Sequence, residues 1–218
     1  MNTTVYLIRH SVRFNNDYIE EYNTTQNKTI RNEKIVLSVE GEKRAEILSN
    51  EEELQNLDVI YASNCVRTLQ TAKYLLKAQN LPVTLDERLD ERRFGEPNSD
   101  IYPDWFERQY LDDNFKTVGG ESQKDVRERM NEAIGEILKE NAGKRIAVFS
   151  HGYAITFYLM QWYKLLNVDS EQKLTFEYKG KVVYDRKINA PEVFKLTLDD
   201  NNNVENIEVI DIDYSEVE

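Results

Sequence analysis

Two histidines, the only ones in the chain, each follow a short apolar run. His10 comes after residues 5–8 with Arg9 between them, and His151 comes after residues 146–149 and a serine. Runs of this length and β-branched character are typical of strands buried on both faces of a parallel sheet. Open α/β sheets place their chemistry at the carboxyl ends of such strands. We therefore predict that both imidazoles leave the sheet at equivalent positions, where they can act on a substrate.

The combination of an imidazole with arginines indicates phosphate chemistry. A neutral, oriented imidazole is a competent nucleophile toward phosphorus, and the phosphoramidate that it forms is labile enough to be hydrolysed. Arg9 adjoins His10, and Arg67 lies at the start of a predicted helix that follows another short strand. Two guanidinium groups match a phosphoryl dianion and its transition-state charge. They also lower the pKa of His10, which keeps the nucleophile unprotonated.

The leaving oxygen of a phosphomonoester needs a proton, so such a site also requires a carboxylic acid within reach. An acidic segment follows the third predicted strand and supplies the candidates Asp86, Glu87, Asp90 and Glu91. Their positions in the chain do not choose among them. Each of these residue types, taken alone, is more often structural than catalytic. The joint placement of His10, Arg67 and His151 after three separate strands is what supports a site.

The composition argues against several classes of partner. With 218 residues, 40% of them hydrophobic, the chain is long enough for one substantial core, and we expect residues 1–218 to form a single domain. The net charge of −12 argues against nucleic acid or an anionic membrane as a partner. Cys65 is the only cysteine and no signal-peptide or transmembrane stretch is evident, so we expect a cytoplasmic protein. We interpret Cys65 as a small buried hydrophobe.

The rest of the pattern alternates strands with helices. Besides the strands before the histidines, short apolar strands are predicted at 58–62 and 81–85. Apolar residues at three- and four-residue steps predict four helices, one from about Val39 after the N-cap Ser38 and others at 67–80, 121–143 and 153–166. Residues 11–34 and 100–118 have little periodicity. We expect these two regions to set substrate specificity, the first with a short helix around 17–22 and the second with a short helix covering the site.

The C-terminal part of the chain changes character. Residues 174–187 predict a hairpin that turns at Lys179 and Gly180, and further strands are predicted near 193–198 and 204–210. The whole pattern predicts a three-layer α/β/α sandwich with a mostly parallel central sheet and an antiparallel C-terminal edge. Two copies of the chain could pair along that edge, so the oligomeric state, a dimer included, stays open.

At this point the sequence resembles a known family, the histidine phosphatase superfamily, which includes cofactor-dependent phosphoglycerate mutases and many phosphatases. Six segments carry the resemblance, in the family's order and spacing, over most of the chain. They are LIRH at 7–10, LSVEGEKRA at 37–45, YASNCVRTLQTA at 61–72, RLDERRFGE at 88–96, GGESQKDVRERM at 119–130 and VFSHG at 148–152. The resemblance implies a phosphoglycerate mutase-like fold and, from the phosphatase branch, metal-independent hydrolysis of phosphomonoesters.

The resemblance also implies roles for individual residues. His10 is implied to be the nucleophile that accepts the phosphoryl group, with Arg9, Arg67 and His151 forming the phosphate pocket around it. Glu91, at the family's acid position, is implied to protonate the leaving group and then to activate water.

Two further residues belong to the implied substrate-binding set. Asn16, six residues after the nucleophile, matches a phosphate-contacting asparagine of the mutase branch, and Gly152 adjoins the second histidine. Neither a metal nor an organic cofactor is required by this scheme. The substrate that it implies is a small phosphorylated molecule.

The sequence departs from the family pattern at two places. The family commonly reads Arg-His-Gly-Glu-Thr, whereas here His10 is followed by Ser11, Val12 and Arg13. The basic substrate clamp of the mutases is not evident in residues 101–113, which are acidic and aromatic. The second departure favours hydrolysis over mutase-type phosphoryl transfer. The first leaves a third hypothesis, a non-catalytic module that binds phosphate or a partner.

Two groups of side chains have both a functional and a structural interpretation. Trp105, Phe106 and Tyr110 could line the mouth of a substrate site or simply pack a helix. Arg92 and Arg93 could bind a second anionic group or pair with neighbouring acids. A metal-dependent hydrolase is the weakest alternative, because arginines beside the histidines would repel a cation.

Overall fold

A computed structural model describes residues 2–14, 32–96 and 102–217. The helices in these residues are α1 (Val39–Ser49), α2 (Val66–Gln79), α3 (Trp105–Leu111), α4 (Gln123–Glu140) and α5 (Gly152–Leu159). The strands are β1 (Thr3–Arg9), β2 (Val59–Ala62), β3 (Val83–Leu85), β4 (Arg145–Ser150), β5 (Lys164–Val168), β6 (Leu174–Tyr178), β7 (Lys181–Arg186), β8 (Val193–Leu198) and β9 (Val204–Ile210). None of the described helices is long and apolar enough to cross a membrane.

Six of the strands form the central sheet, in the order β3-β2-β4-β1-β8-β9. The first four are parallel to one another, and β8 and β9 continue the sheet with antiparallel pairing. A second, antiparallel sheet has the order β5-β6-β7. The predicted mostly parallel sheet with an antiparallel C-terminal edge is therefore confirmed.

Strand β1, which precedes His10, lies inside the sheet, between β4 and β8, and both of its faces are covered. Val5 and Leu7 belong to the apolar core that includes Met130 of α4, whereas Tyr6 and Ile8 belong to the core on the other face. The second core contains residues of α1 and α2, Leu48 and Leu75 among them. Burying each large apolar side chain stabilises the fold by roughly 1.5–3 kcal/mol, so this continuous apolar run strongly favours the central position.

The register of the parallel strands positions the site. Arg9, the last residue of β1, lies opposite Ser150, the last residue of β4. On the other side of β4, Ala62 of β2 pairs with Phe149. His10, His151 and the residues that follow β2 therefore leave the sheet at the same level, as the strand pattern predicted.

The caps of α1 and α4 agree with the sequence. Ser38 accepts a hydrogen bond from the Gly41 amide at 2.9 Å, and Ser122 forms a reciprocal capping box with Asp125. The helix predicted at 121–143 ends at Glu140, slightly before Gly143. The turn at Lys179 and Gly180, both with positive φ, joins β6 to β7 as predicted.

One helix prediction is correct only for the first half of its range. The helix expected at 153–166 ends at Leu159, and Lys164 begins β5, which pairs with β6. A continuous apolar stretch does not by itself distinguish a helix from a strand, and here pairing with a strand formed later in the chain decides. The short helix expected around 17–22 lies outside the described residues.

Candidate active site

His10 is held in one tautomer by its own loop. It is only 5% exposed, and its backbone amide donates to the Ser150 carbonyl at 3.0 Å. Nδ1 lies 2.7 Å from the Ser11 carbonyl oxygen. A carbonyl can only accept, so Nδ1 carries the hydrogen and Nε2 of the neutral ring keeps its lone pair. The orientation suits a nucleophile at Nε2.

The surroundings of His10 also keep the ring uncharged. Burial lowers its pKa well below 6.5, and the guanidinium groups of Arg67 and Arg9 lower the pKa further. Arg13, which is exposed on the loop after the nucleophile, acts in the same direction. The predicted effect of the two arginines on His10 is therefore present, although burial is the largest cause.

Arg9 is fixed between the loop before β8 and the start of α5. Its Nη1 donates to the carbonyl oxygens of Ile188 and Asn189. On the other side the guanidinium lies against Gly152, where an added Cβ would be 3.3 Å from Nε. That distance is tighter than ordinary van der Waals contact, so a side chain at position 152 would push on Arg9.

Arg67, in the first turn of α2, is 2% exposed and connects two parts of the site. Its Nη1 donates to the Asn32 carbonyl at 2.6 Å, and its Nη2 donates to Nδ1 of His151 at 2.9 Å. Because arginine only donates, Nδ1 of His151 accepts. The second histidine thus holds Arg67 in place through its lone pair.

The other nitrogen of His151 begins a chain of hydroxyl groups. With Nδ1 accepting, the single hydrogen of the neutral ring is on Nε2, which donates to Ser63 Oγ at 2.8 Å. Ser63 Oγ lies 2.9 Å from Thr68 Oγ1, which donates to the Cys65 carbonyl at 2.7 Å. Complete burial lowers the pKa of His151 well below 6.5, and Arg67 adds to this effect. The rings of His151 and His10 meet edge to face, with centroids 5.2 Å apart.

Three polar atoms around His10 are buried and have no hydrogen-bond partner within the described residues. They are Arg9 Nε, Arg67 Nε and Ser11 Oγ. Buried donors of this kind are costly unless a group pairs with them, and guanidinium nitrogens pair best with oxyanions. The arrangement can therefore bind a phosphoryl group beside Nε2 of His10.

Glu91 lies at the N-terminus of α5, next to this group. Its Oε1 accepts from the amides of Arg92 at 2.9 Å and Ala154 at 3.1 Å. Its Oε2 has one long bond, 3.4 Å, from the Tyr153 amide. The negative charge of Glu91 also interacts with Arg9 and Arg67. Oε2 is thus the oxygen of Glu91 with more capacity to carry and transfer a proton.

The structure reduces the number of acidic residues that are candidates for the proton donor. Glu87 is exposed, and Asp86 pairs with Arg88 at 2.7 Å on the protein surface. Asp90 accepts from the Asn64 amide at 2.9 Å, and burial raises the pKa of its carboxyl to about 6. Asp90 and Glu91 remain as the two acids near the arginines.

Three aromatic side chains form a wall beside Glu91. The rings of Phe94, Trp105 and Tyr153 meet edge to face, with centroids 5.4–6.3 Å apart. All three side chains are partly exposed. Tyr153 also supplies the amide that contacts Glu91, so this wall adjoins the acid. The short helix predicted within residues 100–118 is present as α3, and its Trp105 belongs to the wall.

Arg92 is engaged inside the protein, whereas the Arg93 side chain is open to solvent. Arg92 is 2% exposed and donates to the Glu121 and Phe115 carbonyls and to Gln109. Arg93 donates its amide to the Glu121 carboxylate at 2.9 Å and its guanidinium at 3.3 Å, but its side chain is 65% exposed. The structural interpretation therefore holds for Arg92, and the guanidinium of Arg93 is still accessible to an anion.

One group of side chains near the site could hold a metal ion by residue type. Ligand atoms of Cys65, Asp90 and His151 lie within 4.8 Å of one another. Both His151 nitrogens are already hydrogen-bonded, one of them to the cationic Arg67, and burial raises the pKa of the Cys65 thiol to about 11. A protonated thiol and an adjacent guanidinium do not suit a cation.

Several contributors to the site were not found from the sequence. Asn32, Ser63 and the loop that contacts Arg9 act through contacts between distant parts of the chain, and Thr68 bonds to Ser63, which is close to it in the chain. Ser63 carried the only local signal, since it directly follows β2. Asn16, expected to contact phosphate, lies outside the described residues.

Comparison with known proteins gives consistent results for the family and the fold. Residues 5–181 match the model of the histidine phosphatase superfamily, branch 1. The chain is 33% identical to phosphoserine phosphatase 1 of Hydrogenobacter thermophilus over 124 residues, which is 53% of this chain and 58% of that protein. It is 29% identical to a probable phosphoglycerate mutase of Yersinia enterocolitica over 127 residues, 55% of this chain and 59% of that protein. The matches thus span less than two thirds of both curated relatives.

Among solved structures, YhfR of Bacillus stearothermophilus has a similar fold. It superposes with a TM-score of 0.70 at 21% identity, covering 99% of this chain and 100% of that chain. At this identity the similarity shows the fold.

Proposed function

This chain belongs to the histidine phosphatase superfamily, and from that premise we propose that it hydrolyses phosphomonoesters through a phosphohistidine on His10. One observation carries the proposal. A buried imidazole with its lone pair at Nε2 lies beside two arginines whose buried Nε atoms have no hydrogen-bond partner within the described residues. A phosphoryl group is the ligand that satisfies these donors and reacts with that lone pair.

In the first half of the proposed reaction, Nε2 of His10 attacks phosphorus while the bond from phosphorus to the leaving oxygen breaks. Arg9 and Arg67 stabilise the charge on the transferring phosphoryl group. Glu91 transfers a proton from Oε2 to the leaving oxygen. His151 acts by holding Arg67 through Nδ1.

In the second half, the Glu91 carboxylate takes a proton from water, and the water oxygen attacks phosphorus. The bond between nitrogen and phosphorus breaks, inorganic phosphate leaves, and the lone pair returns to Nε2. Glu91 is then protonated again and ready for the next substrate. No step requires a metal.

We propose a small phosphorylated metabolite as the substrate. The phosphoserine phosphatase among the relatives supports this class. The alternative, mutase-type transfer, is favoured by the second relative. Hydrolysis is supported over transfer because residues 101–113 are acidic and aromatic and Arg92 is engaged in the interior.

The test is hydrolysis of an aryl phosphate with EDTA present, comparing the intact protein with His10→Ala. We expect turnover by the intact protein and a loss of at least about 10³-fold in His10→Ala, since the nucleophile is absent. An acid-labile phosphoenzyme should accumulate only in the intact protein. Full activity in His10→Ala would exclude the phosphohistidine, and binding of phosphate without turnover would favour the non-catalytic module. Dependence on a bisphosphorylated primer would instead indicate a mutase.

A further inference from the structure

Glu192 is a buried carboxylate outside the group of residues described as the active site. It is 3% exposed, and its side chain accepts hydrogen bonds from three groups. Oε2 accepts from the Tyr184 hydroxyl and the Asn189 amide, both at 2.8 Å, and Oε1 accepts from Arg186 Nη2 at 2.7 Å. A buried carboxylate with this many donors is strongly tied to a single geometry.

Glu192 contacts Arg9 directly at the backbone and indirectly, through Asn189, at the guanidinium. The Glu192 carbonyl accepts from the Arg9 amide at 2.9 Å. Its side chain holds the amide of Asn189, and the carbonyl of Asn189 accepts from Arg9 Nη1 at 3.0 Å. Ile188, the preceding residue, provides a second carbonyl to Nη1. Arg9 is therefore bonded to one short loop at its backbone and at its guanidinium.

That loop, residues 187–192, has no regular structure of its own and joins β7 to β8. Three hydrogen bonds of this loop meet at the Glu192 carboxylate, and the Tyr184 hydroxyl, which makes one of them, also lies 3.0 Å from the Lys187 carbonyl oxygen. Without these hydrogen bonds, the carbonyl groups of Ile188 and Asn189 would no longer be held at the spacing that orients Nη1 of Arg9. A change in the loop would therefore displace the guanidinium of Arg9.

We propose that Glu192 is a positioning residue for Arg9: its carboxylate orders residues 187–190 and so aims the Arg9 guanidinium at the phosphoryl group. The proposal rests on the proposed function only insofar as Arg9 binds that group. It assigns a role to the antiparallel part of the fold, since the loop between β7 and β8 supplies the carbonyl groups that bond to Arg9.

The chain offers a matched control. Arg186 Nη2 bonds equally to Glu192 and to Asp211, each at 2.7 Å, but the Asp211 side chain is 76% exposed. Asp211→Asn removes one ion pair of Arg186 without touching the loop. Glu192→Gln removes the other ion pair together with the charge that holds the loop.

The primary measurement is the affinity for inorganic phosphate by calorimetry, which needs no turnover, combined with KM and kcat for an aryl phosphate. We expect Glu192→Gln to weaken phosphate binding and raise KM by about 5–10-fold, because a misdirected guanidinium loses about 1–1.4 kcal/mol of a charge-assisted bond. Asp211→Asn should stay within about twofold of the parent protein.

A double-mutant cycle separates positioning from a structural role. In an Arg9→Ala background, Glu192→Gln should cause no further loss of phosphate affinity, since the group that it positions is gone. An undiminished effect in that background, or an unchanged affinity in the single variant, would overturn the proposal. If Glu192→Gln does not fold, Tyr184→Phe removes one donor to the same carboxylate and should weaken phosphate binding in the same Arg9-dependent way; unchanged binding there would also overturn it. Absence of turnover in the intact protein would refute the proposed function instead, and the binding cycle would still decide the role of Glu192.

Discussion

Arg67 donates a hydrogen bond from Nη2 to Nδ1 of His151 at 2.9 Å, so the second histidine serves the arginine through its lone pair. The contact depends on the fork of the guanidinium, whose Nη1 bonds to the Asn32 carbonyl at the same time. A lysine would preserve the positive charge but could not make both contacts in this geometry.

We therefore expect Arg67→Lys to lower kcat/KM by about 10²-fold with little change in the thermal midpoint. Steady-state kinetics with an aryl phosphate measures this. The control is Arg88→Lys, which alters an arginine that pairs with Asp86 and Glu136 on the surface and should leave kcat/KM unchanged. Parent-like kinetics in Arg67→Lys would show that charge alone is sufficient at this position.

The dependence of kcat/KM on pH should reflect the charged groups around His10. The nucleophile is active when neutral, so activity is present above its pKa and is lost as the pH falls through it. Since the pKa of His10 lies well below 6.5, kcat/KM should persist into mildly acidic solution. Arg13→Gln removes one of the cations that lower this pKa, so the acid limb should move to higher pH. Lys139→Gln, which removes a positive charge from an exposed position at the end of α4, should not move it.

The roles of Glu91 and Asp90 should be distinguishable by comparing substrates whose leaving groups differ in their need for a proton. Glu91→Gln is expected to lower kcat by about 10²–10³-fold for an alkyl phosphate, whose leaving oxygen needs a proton. For a nitrophenyl phosphate the loss should be much smaller, because that leaving group departs as an anion. Asp90→Asn should show no such dependence on the leaving group. If the pattern appears in Asp90→Asn instead, the proton donor is Asp90.

Asp90 should make stability depend on pH. Burial raises the pKa of its carboxyl to about 6, above the value in the unfolded chain, so the folded state binds the proton more tightly. Asp90 therefore stabilises the fold when protonated, and this contribution is lost as the pH rises through about 6. Asp90→Asn should be more stable than the parent at pH 8, by about 1 kcal/mol after allowance for solvent screening. The difference should shrink toward pH 4 in urea unfolding, and a constant difference would contradict this account.

Two glycine substitutions should have opposite effects on the stability of the fold. A Cβ at Gly41 would lie only 2.0 Å from the Val12 carbonyl oxygen, in the loop that follows the nucleophile. Gly41→Ala should destabilise the fold by about 2–4 kcal/mol and lower activity, because the backbone of that loop must move. Gly135, inside α4, has no atom near such a Cβ, so Gly135→Ala should stabilise the protein by about 0.5–1 kcal/mol. Thermal unfolding of both variants measures the contrast.

The sequence predicted the parts of the molecule that depend on local pattern. The apolar runs before His10 and His151 placed both residues at the carboxyl edge of the sheet, and Ser38 marked the start of α1. These signals are readable because burial and capping act on residues close together in the chain.

Contacts between distant segments were not predictable in the same way. The bonds from Arg9 to Ile188 and from Arg67 to Asn32 join residues 179 and 35 positions apart. The strand β5 formed where an apolar helix was expected, because its partner β6 lies later in the chain. Such pairings depend on the assembled sheet, and no local preference indicates them.

Because β1 lies at the centre of the sheet, the placement of His10 depends on the stability of the whole fold. Because β4 and β8 pair with it on both sides, its amides should exchange with solvent deuterium only when the entire sheet opens. His10, the residue after that strand, donates its backbone amide to the carbonyl of Ser150, the last residue of β4. The geometry around His10 should therefore be lost on heating only when the whole fold unfolds.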